Sequence, residues 1–479
     1  MRTKYFNKNS AINVENLKKD IDDIVKSQKF ISFTKQCSNA LSLPKGIIKK
    51  KIKLLLSNKF DYKTFSFTKS NLLLSFYYST TILIKLIALI ILSKIYIFKL
   101  HKKKVDVIIE NIENEDSFNY FAKLAKSKKK IFVITKSKLL SLKNYKIDSV
   151  HNIFIPFKKN SIPNTRLLLN IIFKNYFKDI NNDFSLNEYL LSILFAYLKN
   201  ISKFNYISSK YLLFTKIYWS CPIQNFLFKK NGGKRIITTQ THVPEHSISL
   251  FKDLDTLCSW GTAKDVKTKL ETLGGKVNQV IPIGSLKMEF ELAKKNNINK
   301  MPRIDVLIIG VNLSNYIRTS RDIKKNYYLF LEWMKSLSLK YKKLNFVYKH
   351  HTSFAGKERD VLEDEIIKDS RIKRIVLDKQ FNSYDYLKKS RIAFSFCSSM
   401  VLESVALGKH CFFVDPNNAS QTFFKNLNYM NCLKINNKNK LEKMISNHLK
   451  MKKVIRSGKR KLYCHPPKNT TNRLVKILN

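Results

Sequence analysis

From His101 onward, short apolar runs rich in Val, Ile and Phe alternate with amphipathic, lysine-rich stretches. The runs Val105–Ile109, Ile131–Ile134, Ile153–Phe157, Tyr211–Phe214, Ile236–Thr239 and Thr256–Ser259 are predicted as strands, with helical patterns such as Leu186–Leu198 and Ile217–Phe228 between them. A second series follows Pro302: Ile304–Ile309, Leu344–Tyr348, Ile375–Leu377, Ile392–Phe396 and Cys411–Val414. Strands that alternate with helices form parallel sheets with crossover helices. The pattern therefore predicts an α/β chain with two doubly wound domains, at 104–285 and 303–445, joined by a linker at 286–302. Before them lies a helical, basic, partly apolar extension, 1–103, and after them a basic tail, 446–479.

The extension holds the most apolar stretch of the chain, Leu72 to Leu100. A membrane span needs about 20 apolar residues, and a lysine at mid-bilayer costs about 3 kcal/mol on the insertion scale. Lys85 and Lys94 leave only Leu86 to Ser93 uninterrupted, although both could snorkel to the two faces. Spanning, interfacial and buried helices all stay open, and both flanks are basic, so charge sets no orientation. The expectation is peripheral association with a membrane.

Composition narrows the class. Over 479 residues, 44% hydrophobic and 12% aromatic content excludes a disordered chain, and eleven glycines with ten prolines exclude collagen-like and linker-like ones. Lys+Arg 89 against Asp+Glu 35 gives a formal net charge of +54. Either an anionic partner or an AT-rich coding bias toward Lys, Asn and Ile would produce it, and the lysines are spread rather than gathered. With no helix-turn-helix, RRM or zinc signature, nucleic acid is not the expected partner. The seven cysteines include no C-x-x-C pair, which argues against a disulfide framework and a structural zinc site and suits a reduced, cytoplasmic location. The first twenty residues carry no apolar core of a cleaved signal peptide.

Five stretches could carry chemistry. Thr238 to His246 follows a predicted strand, and His242 or Glu245 there suits a general base for an acceptor hydroxyl. The letters His242-x-x-Glu245-His246 also match an inverted zinc-protease motif, but Pro244 prevents the continuous helix that chemistry needs. A histidine satisfying loop backbone groups is the plainer reading. Asp255 to Gly261 and Ile281 to Ser285 each read as a short strand running into a glycine turn, and seven of the eleven glycines fall between Gly232 and Gly310. Gly310 and Asn312 close the Val306–Ile309 run, with Arg318 beyond, a form that suits phosphate approach without being a Walker loop. Lys349-His350-His351 ends another strand and would suit phosphate, or be a solvated turn. Lastly, Phe394 to Lys409 reads as strand, Ser398-Ser399 turn and helix. Ser399 is the expected N-cap, Gly408 the stop, and Glu403 lies off the apolar stripe where it could accept from ribose hydroxyls or merely satisfy the helix dipole.

Together these motifs resemble the two-domain GT-B glycosyltransferase superfamily, and most closely its bacterial surface-carbohydrate enzymes (capsule, lipopolysaccharide) with the CDP-glycerol-type polyol-phosphate polymerases. The matching elements run in order from about Val105 to Leu441: Gln240-Thr241-His242, Asp255 to Trp260-Gly261, Pro282 to Gly284-Ser285, and Ser398-Ser399-x-x-x-Glu403-x-x-x-x-Gly408-Lys409. The resemblance implies two Rossmann-like domains facing each other across a cleft, the first for the acceptor and the second for the nucleotide. It implies transfer of a sugar from a nucleotide-sugar donor to a surface-polysaccharide or lipid-linked acceptor, at the inner face of the cell membrane, with no metal and no cofactor. His242 or Glu245 would be catalytic. Gly310, Asn312, Arg318, Lys349, His350, Ser398, Ser399 and Glu403 would bind the donor, and Gln240, Trp260, Gly261, Gly284 and Ser285 would line the cleft. The chain departs from the family where retaining members carry glutamates at E-x7-E spacing, because Ser395 takes the first position, which favours inversion. Histidine also follows Lys349-His350 where polyol-phosphate relatives have His-Pro. A CDP-polyol transferase of the same fold and a non-catalytic assembly protein are the alternatives.

Overall fold

The computed structural model describes residues 14–61, 76–84, 87, 103–112, 118–121, 124, 130–135, 148–151, 163–179, 185–216, 220–240, 250–261, 265–294, 298–311, 321–351, 361–368, 370–376, 378, 380–396, 398–418, 433–447 and 457–479. They form two compact units. The first holds the described chain up to Cys258 with Val266–Val280 and Leu478–Asn479; the second holds the described residues of Ser259–Asp265 and Ile281–Ile477.

Both units are α/β. The first contains a seven-stranded sheet built from β1 (Lys103–Ile112), β2 (Ile131–Thr135), β3 (Asp148–His151), β4 (Ile207–Phe214), β5 (Arg235–Gln240), β6 (Asp253–Ser259) and β7 (Lys276–Pro282), in the order β3-β2-β1-β4-β5-β6-β7. Its ladders from β3 through β5 are parallel. The second contains β8 (Ile304–Ile309), β9 (Phe346–Lys349), β10 (Lys373–Ile375), β11 (Ser390–Ser395), β12 (His410–Val414) and β13 (Lys434–Ile435), ordered β10-β9-β8-β11-β12-β13 and parallel throughout. Each order reverses direction once, between β1 and β4 and between β8 and β11. That reversal defines the doubly wound, Rossmann-like arrangement. The run Ile304–Ile309, apolar but for Asp305, which pairs with Arg303, forms a strand buried at every position, as a central parallel strand covered on both faces must be.

Differences from the sequence reading are local. Ile153–Phe157 lies outside the described residues, and the third strand stands at Asp148–His151. The predicted helix Ile217–Phe228 begins at Pro222, where the ring fixes φ at the first helical turn. β7 starts at Lys276, ahead of the short strand the sequence marks at Ile281, and β13 is not among the predicted strands. β7 is half-exposed, so it lacks a buried strand's continuous apolar run, and β13 is two residues long.

The basic N-terminal segment forms α1 (Val14–Lys26), α2 (Gln28–Leu41) and α3 (Lys45–Asp61). Leu17, Ile21 and Val25 recur every four residues on α1 and are buried, as are Phe30, Phe33 and Cys37 on α2 and Ile48, Ile52 and Leu56 on α3. They pack within the first unit among α4 (Thr165–Asp179), α5 (Leu186–Tyr206) and α6 (Pro222–Lys230), and Lys50 pairs with Asp253. Of the Leu72–Leu100 stretch, residues 76–84 and 87 are described, and 76–84 are helical. No helix among the described residues is long and apolar enough to cross a membrane.

α7 (Asp265–Thr272) lies, from Val266 on, in the first unit; the second carries α8 (Leu286–Ala293), α9 (Arg321–Lys340), α10 (Val361–Lys368), α11 (Ser383–Lys389), α12 (Met400–Ala406), α13 (Lys438–Ser446), α14 (Ser457–Arg460) and α15 (Thr470–Ile477).

One buried charge in the first unit gives a direct test of its packing. Lys252 is 3% exposed and donates to the Ser220 carbonyl at 3.2 Å. Burial pushes its ammonium down to about 7; the Lys51 charge adds to this and Cys221 opposes it. The folded state therefore holds fewer protons than the unfolded chain between that value and the ordinary lysine range, so stability rises as pH rises through this window. Replacing Lys252 with Met removes that slope. Thermal melts of both proteins at pH 6 and pH 9 are expected to show the wild type gaining on Lys252→Met as pH rises, by an amount on the order of several kcal/mol. Parallel pH curves would contradict the burial.

Candidate functional site

The switch point of the second unit lies between β8 and β11, and ligands of doubly wound sheets bind beyond the carboxyl ends of the strands there. Gly310 follows β8 at this end and donates its N–H to the Lys349 carbonyl at 2.9 Å. A Cβ at Gly310 would stand 2.6 Å from Tyr348 Oη and 3.1 Å from the Lys349 carbonyl oxygen, so only glycine fits. Ser395, at the end of β11, donates from Oγ to the Ile309 carbonyl at 2.9 Å and ties the two switch-point strands together. Ser398 and Ser399 follow. The expected Ser399 cap is absent: its backbone is already helical, its side chain makes no capping bond, and Ser398 Oγ instead accepts from the Met400 N–H at 3.3 Å.

Lys349 and His350 part company because successive residues of an extended strand face opposite ways. Lys349 is 4% exposed, lies 5.8 Å over the Tyr386 ring, and reaches the Val376 carbonyl at 3.4 Å. Burial lowers its pKa, and the charge of Asp378 works against that shift. Asp378 is itself held by the Gln380 and Phe381 amides and by Tyr386 Oη. His350 turns inward. Its Nδ1 lies 3.3 Å from Glu363 Oε1, and Glu363 also accepts from Tyr348 Oη, which is 2.7 Å from Tyr327 Oη. His351 stands with Lys349: burial lowers its pKa, and the charges of Lys287 and Lys349 add to the shift. Three cationic or potentially cationic side chains thus share one electrostatic environment near the end of β9.

Glu403 is 1% exposed. Its Oε1 accepts from Ser285 Oγ and, at 2.8 Å, from Tyr384 Oη. Desolvation raises its pKa and outweighs Lys287 and the two hydroxyls, which lower it. Ser285 is at the same time the N-cap of α8, accepting from the Met288 N–H at 3.1 Å. The structure therefore joins the Pro282–Ser285 turn to the Ser398–Lys409 element through a buried carboxyl group, and α11 supplies the tyrosine.

The glycine turns expected to line a cleft pack against the C-terminal segment. A Cβ on Gly261 would stand 2.2 Å from the Leu462 carbonyl oxygen, and one on Gly284, whose φ is +97°, would stand 2.9 Å from Thr470 Oγ1. The His465 N–H donates to the Trp260 carbonyl at 2.8 Å, and the Thr471 N–H to Glu289 at 2.9 Å. Gln240 ends β5 in the other unit, where the neighbouring Thr238 and Thr239 hydroxyls donate to the Phe214 and Thr215 carbonyls. His242, Glu245, Asn312 and Arg318 lie outside the described residues. No group of three or more His, Cys, Asp or Glu among the described residues could hold a metal ion.

Sequence reasoning missed Tyr384 and Lys287. Tyr384 sits one residue after the start of a capped helix and carries no motif of its own. Lys287 follows Ser285 by two, but lysine is too frequent in this chain to mark a site.

No protein-family model matches the chain, and no curated protein matches it. Among solved structures, it is similar to Staphylococcus aureus MnaA in complex with UDP (13% identity over 77% of this chain and 95% of that one, TM-score 0.46). It is also similar to a glycosyltransferase from Rickettsia africae ESF-5 (13% identity, 78% and 94% covered, TM-score 0.40). A third is the wall teichoic acid polymerase TagF (10% identity, 78% and 88% covered, TM-score 0.41). With TM-scores below 0.5, these likenesses bear no weight in the functional reading.

The Glu403 node has a signed pH response. A carboxyl group whose folded pKa is raised contributes stability below its ordinary value, and that contribution is lost as pH rises through the raised one. Glu403→Gln keeps an acceptor for both hydroxyls without the charge, so its Tm is expected to gain on the wild type as pH rises from 4 to 8. Tyr384→Phe removes one of the two donors and is expected to cost about 1–3 kcal/mol in denaturant unfolding at pH 7. A Glu403→Gln difference that stays constant with pH would refute the buried, ionisable node.

Proposed function

We propose that the chain is a GT-B-type, nucleotide-sugar-dependent glycosyltransferase. It moves a sugar to a surface-polysaccharide or lipid-linked acceptor of the cell envelope, on the cytoplasmic side of the membrane and in peripheral association with it. The observation that carries the reading is the placement of Gly310, Lys349 and Ser395, with the Ser398 turn following, at the carboxyl ends of the strands of a Rossmann-ordered sheet, beside its switch point.

In this reading the nucleotide lies against the turn that Gly310 opens, with Asn312 and Arg318 following it. Lys349, Ser398 and Ser399 meet the diphosphate. His242 or Glu245 takes the proton from the acceptor hydroxyl as its oxygen attacks the anomeric carbon, and the bond to the nucleoside diphosphate breaks. The charge that develops on the departing diphosphate is stabilised by Lys349, with Lys287 adding to the local field. The acceptor oxygen displaces the leaving group from the opposite face, an inverting transfer that suits a chain with Ser395 where retaining members carry a glutamate. Glu403 acts from within the fold, setting the Ser285 turn and the Met400–Ala406 helix. The charges of Lys287 and Lys349, both felt by His351, favour a phosphate-rich donor, which keeps a CDP-polyol transferase as the second reading.

A thermal-shift panel with UDP, GDP, CMP, CDP and their sugar and polyol conjugates tests the proposal. A ligand that binds only the folded chain stabilises it by about 2.7 kcal/mol at a hundred times its Kd. One sugar nucleotide is expected to raise Tm, and Lys349→Ala to weaken that binding about tenfold or more while melting as the wild type does without ligand. A preference for a CDP-polyol would select the second reading. No shift with any member of the panel would overturn both.

A further inference from the structure

The helical side of the first unit carries a groove of about 460 Å³ that none of the motifs above reaches. Gln28, Lys29, Ser32 and Gln36 of α2 line it together with Lys174 and Asn175 of α4, over Phe33. Every polar side chain in this lining can donate a hydrogen bond, and none is a carboxylate. Asn175 is 3% exposed, and its Nδ2 has no hydrogen-bond partner among the described residues. A buried amide without a partner is unfavourable, and an oxygen-rich ligand in the groove would relieve it. Two ammonium groups with amide and hydroxyl donors around them match the oxygens of a phosphate.

The same two helices point to the source of that phosphate. Ile31 on α2 is 48% exposed, and Phe173 on α4 is 60% exposed. Asn187 Nδ2 donates both to the Ile172 carbonyl at 3.2 Å and to Ser79 Oγ at 3.0 Å, so α4 is tied to the helix of residues 76–84. That helix turns Ser79 and Ile82 inward and leaves Phe76 58%, Tyr77 60% and Ile84 61% exposed. Large apolar side chains left in water beside a cationic groove fit a lipid interface, where apolar groups enter the acyl boundary and donors meet the headgroup. The net charge of +54 complements an anionic leaflet. We propose that the groove between α2 and α4 holds the phosphate of an anionic lipid headgroup, with exposed apolar side chains of this helical side, Phe173 among them, entering the bilayer surface. This rests on the membrane-associated part of the functional reading and is independent of the nucleotide site.

Flotation of the full chain with vesicles of phosphatidylcholine, alone or mixed with phosphatidylglycerol, at physiological salt tests it. The wild type is expected to partition to the phosphatidylglycerol vesicles. Lys174→Ala and Asn175→Leu are each expected to lower that partition about fivefold, the loss that one lysine contact represents near an anionic surface. Phe173→Ser should lower it without changing charge, and Lys267→Ala, an exposed lysine of α7, should leave it within about twofold. Asn175→Asp keeps the shape, replaces donor by anion and should also lose binding, so a misfolded leucine variant would not hide the result. An equal loss with Lys267→Ala, or full partition by both Asn175 variants, would overturn the site in favour of diffuse charge. A rise in Tm with inorganic phosphate, abolished by Asn175→Asp, in a protein that does not partition to vesicles would assign the groove to soluble phosphate and overturn the lipid. The nucleotide panel reads the other unit, so failure of either experiment leaves the other result standing.

Discussion

A carboxyl group taken out of water must be given donors or a proton, and the second unit is organised around meeting that demand at Glu403. Two hydroxyls meet it, and each is placed by something else. Ser285 can donate to Glu403 because it caps α8 after the left-handed turn at Gly284. Tyr384 can do so because the capping box of Asn382 and Asp385 fixes the start of α11. Desolvation still outweighs both hydroxyls and the charge of Lys287, so the group sits above the ordinary carboxylate range. The C-terminal segment closes over the same region. Cys464 packs with Met288 and Tyr384, and Thr470 and Thr471 approach Gly284 and Glu289. Turn, helix starts and C-terminal segment are therefore one linked arrangement.

The same economy sets the strand ends. Tyr348 fills the space beneath Gly310 and is held by Glu363 and Tyr327, which leaves no room for a side chain at the end of β8. Strand alternation then sends His350 into that buried network and leaves Lys349 and His351 on the other side. A stretch that reads as three basic residues in a row becomes one structural histidine and two groups in a cationic environment.

The strands buried on both faces were the most legible part of the chain, because a continuous apolar run such as Val306–Ile309 has few other uses in a lysine-rich sequence. The half-exposed β7 and the two-residue β13 carried no such run. The N-terminal extension was legible as helical and basic, but the partners of its apolar stripes on α4, α5 and α6 were not. Glu403 was legible as a residue set apart from the apolar stripe, but not as a buried one: its partners are 118 positions away at Ser285 and 19 away at Tyr384. Gly261 and Gly284 marked positions of close approach, as their scarcity suggested, and what approaches is the chain's own C-terminal segment. No short motif could reveal that pairing, because Leu462 and Thr470 carry no signature of their own.

The central claim is that a nucleotide occupies the carboxyl ends of β8, β9 and β11. Amide hydrogen exchange of the full chain, with and without the nucleotide that most raises its Tm, tests this most directly. The account predicts slowed exchange at residues 310–311, 349–351 and 398–403, with the Asn382–Lys389 helix unchanged. Slowing confined to other segments, or no slowing under saturating nucleotide, would contradict it.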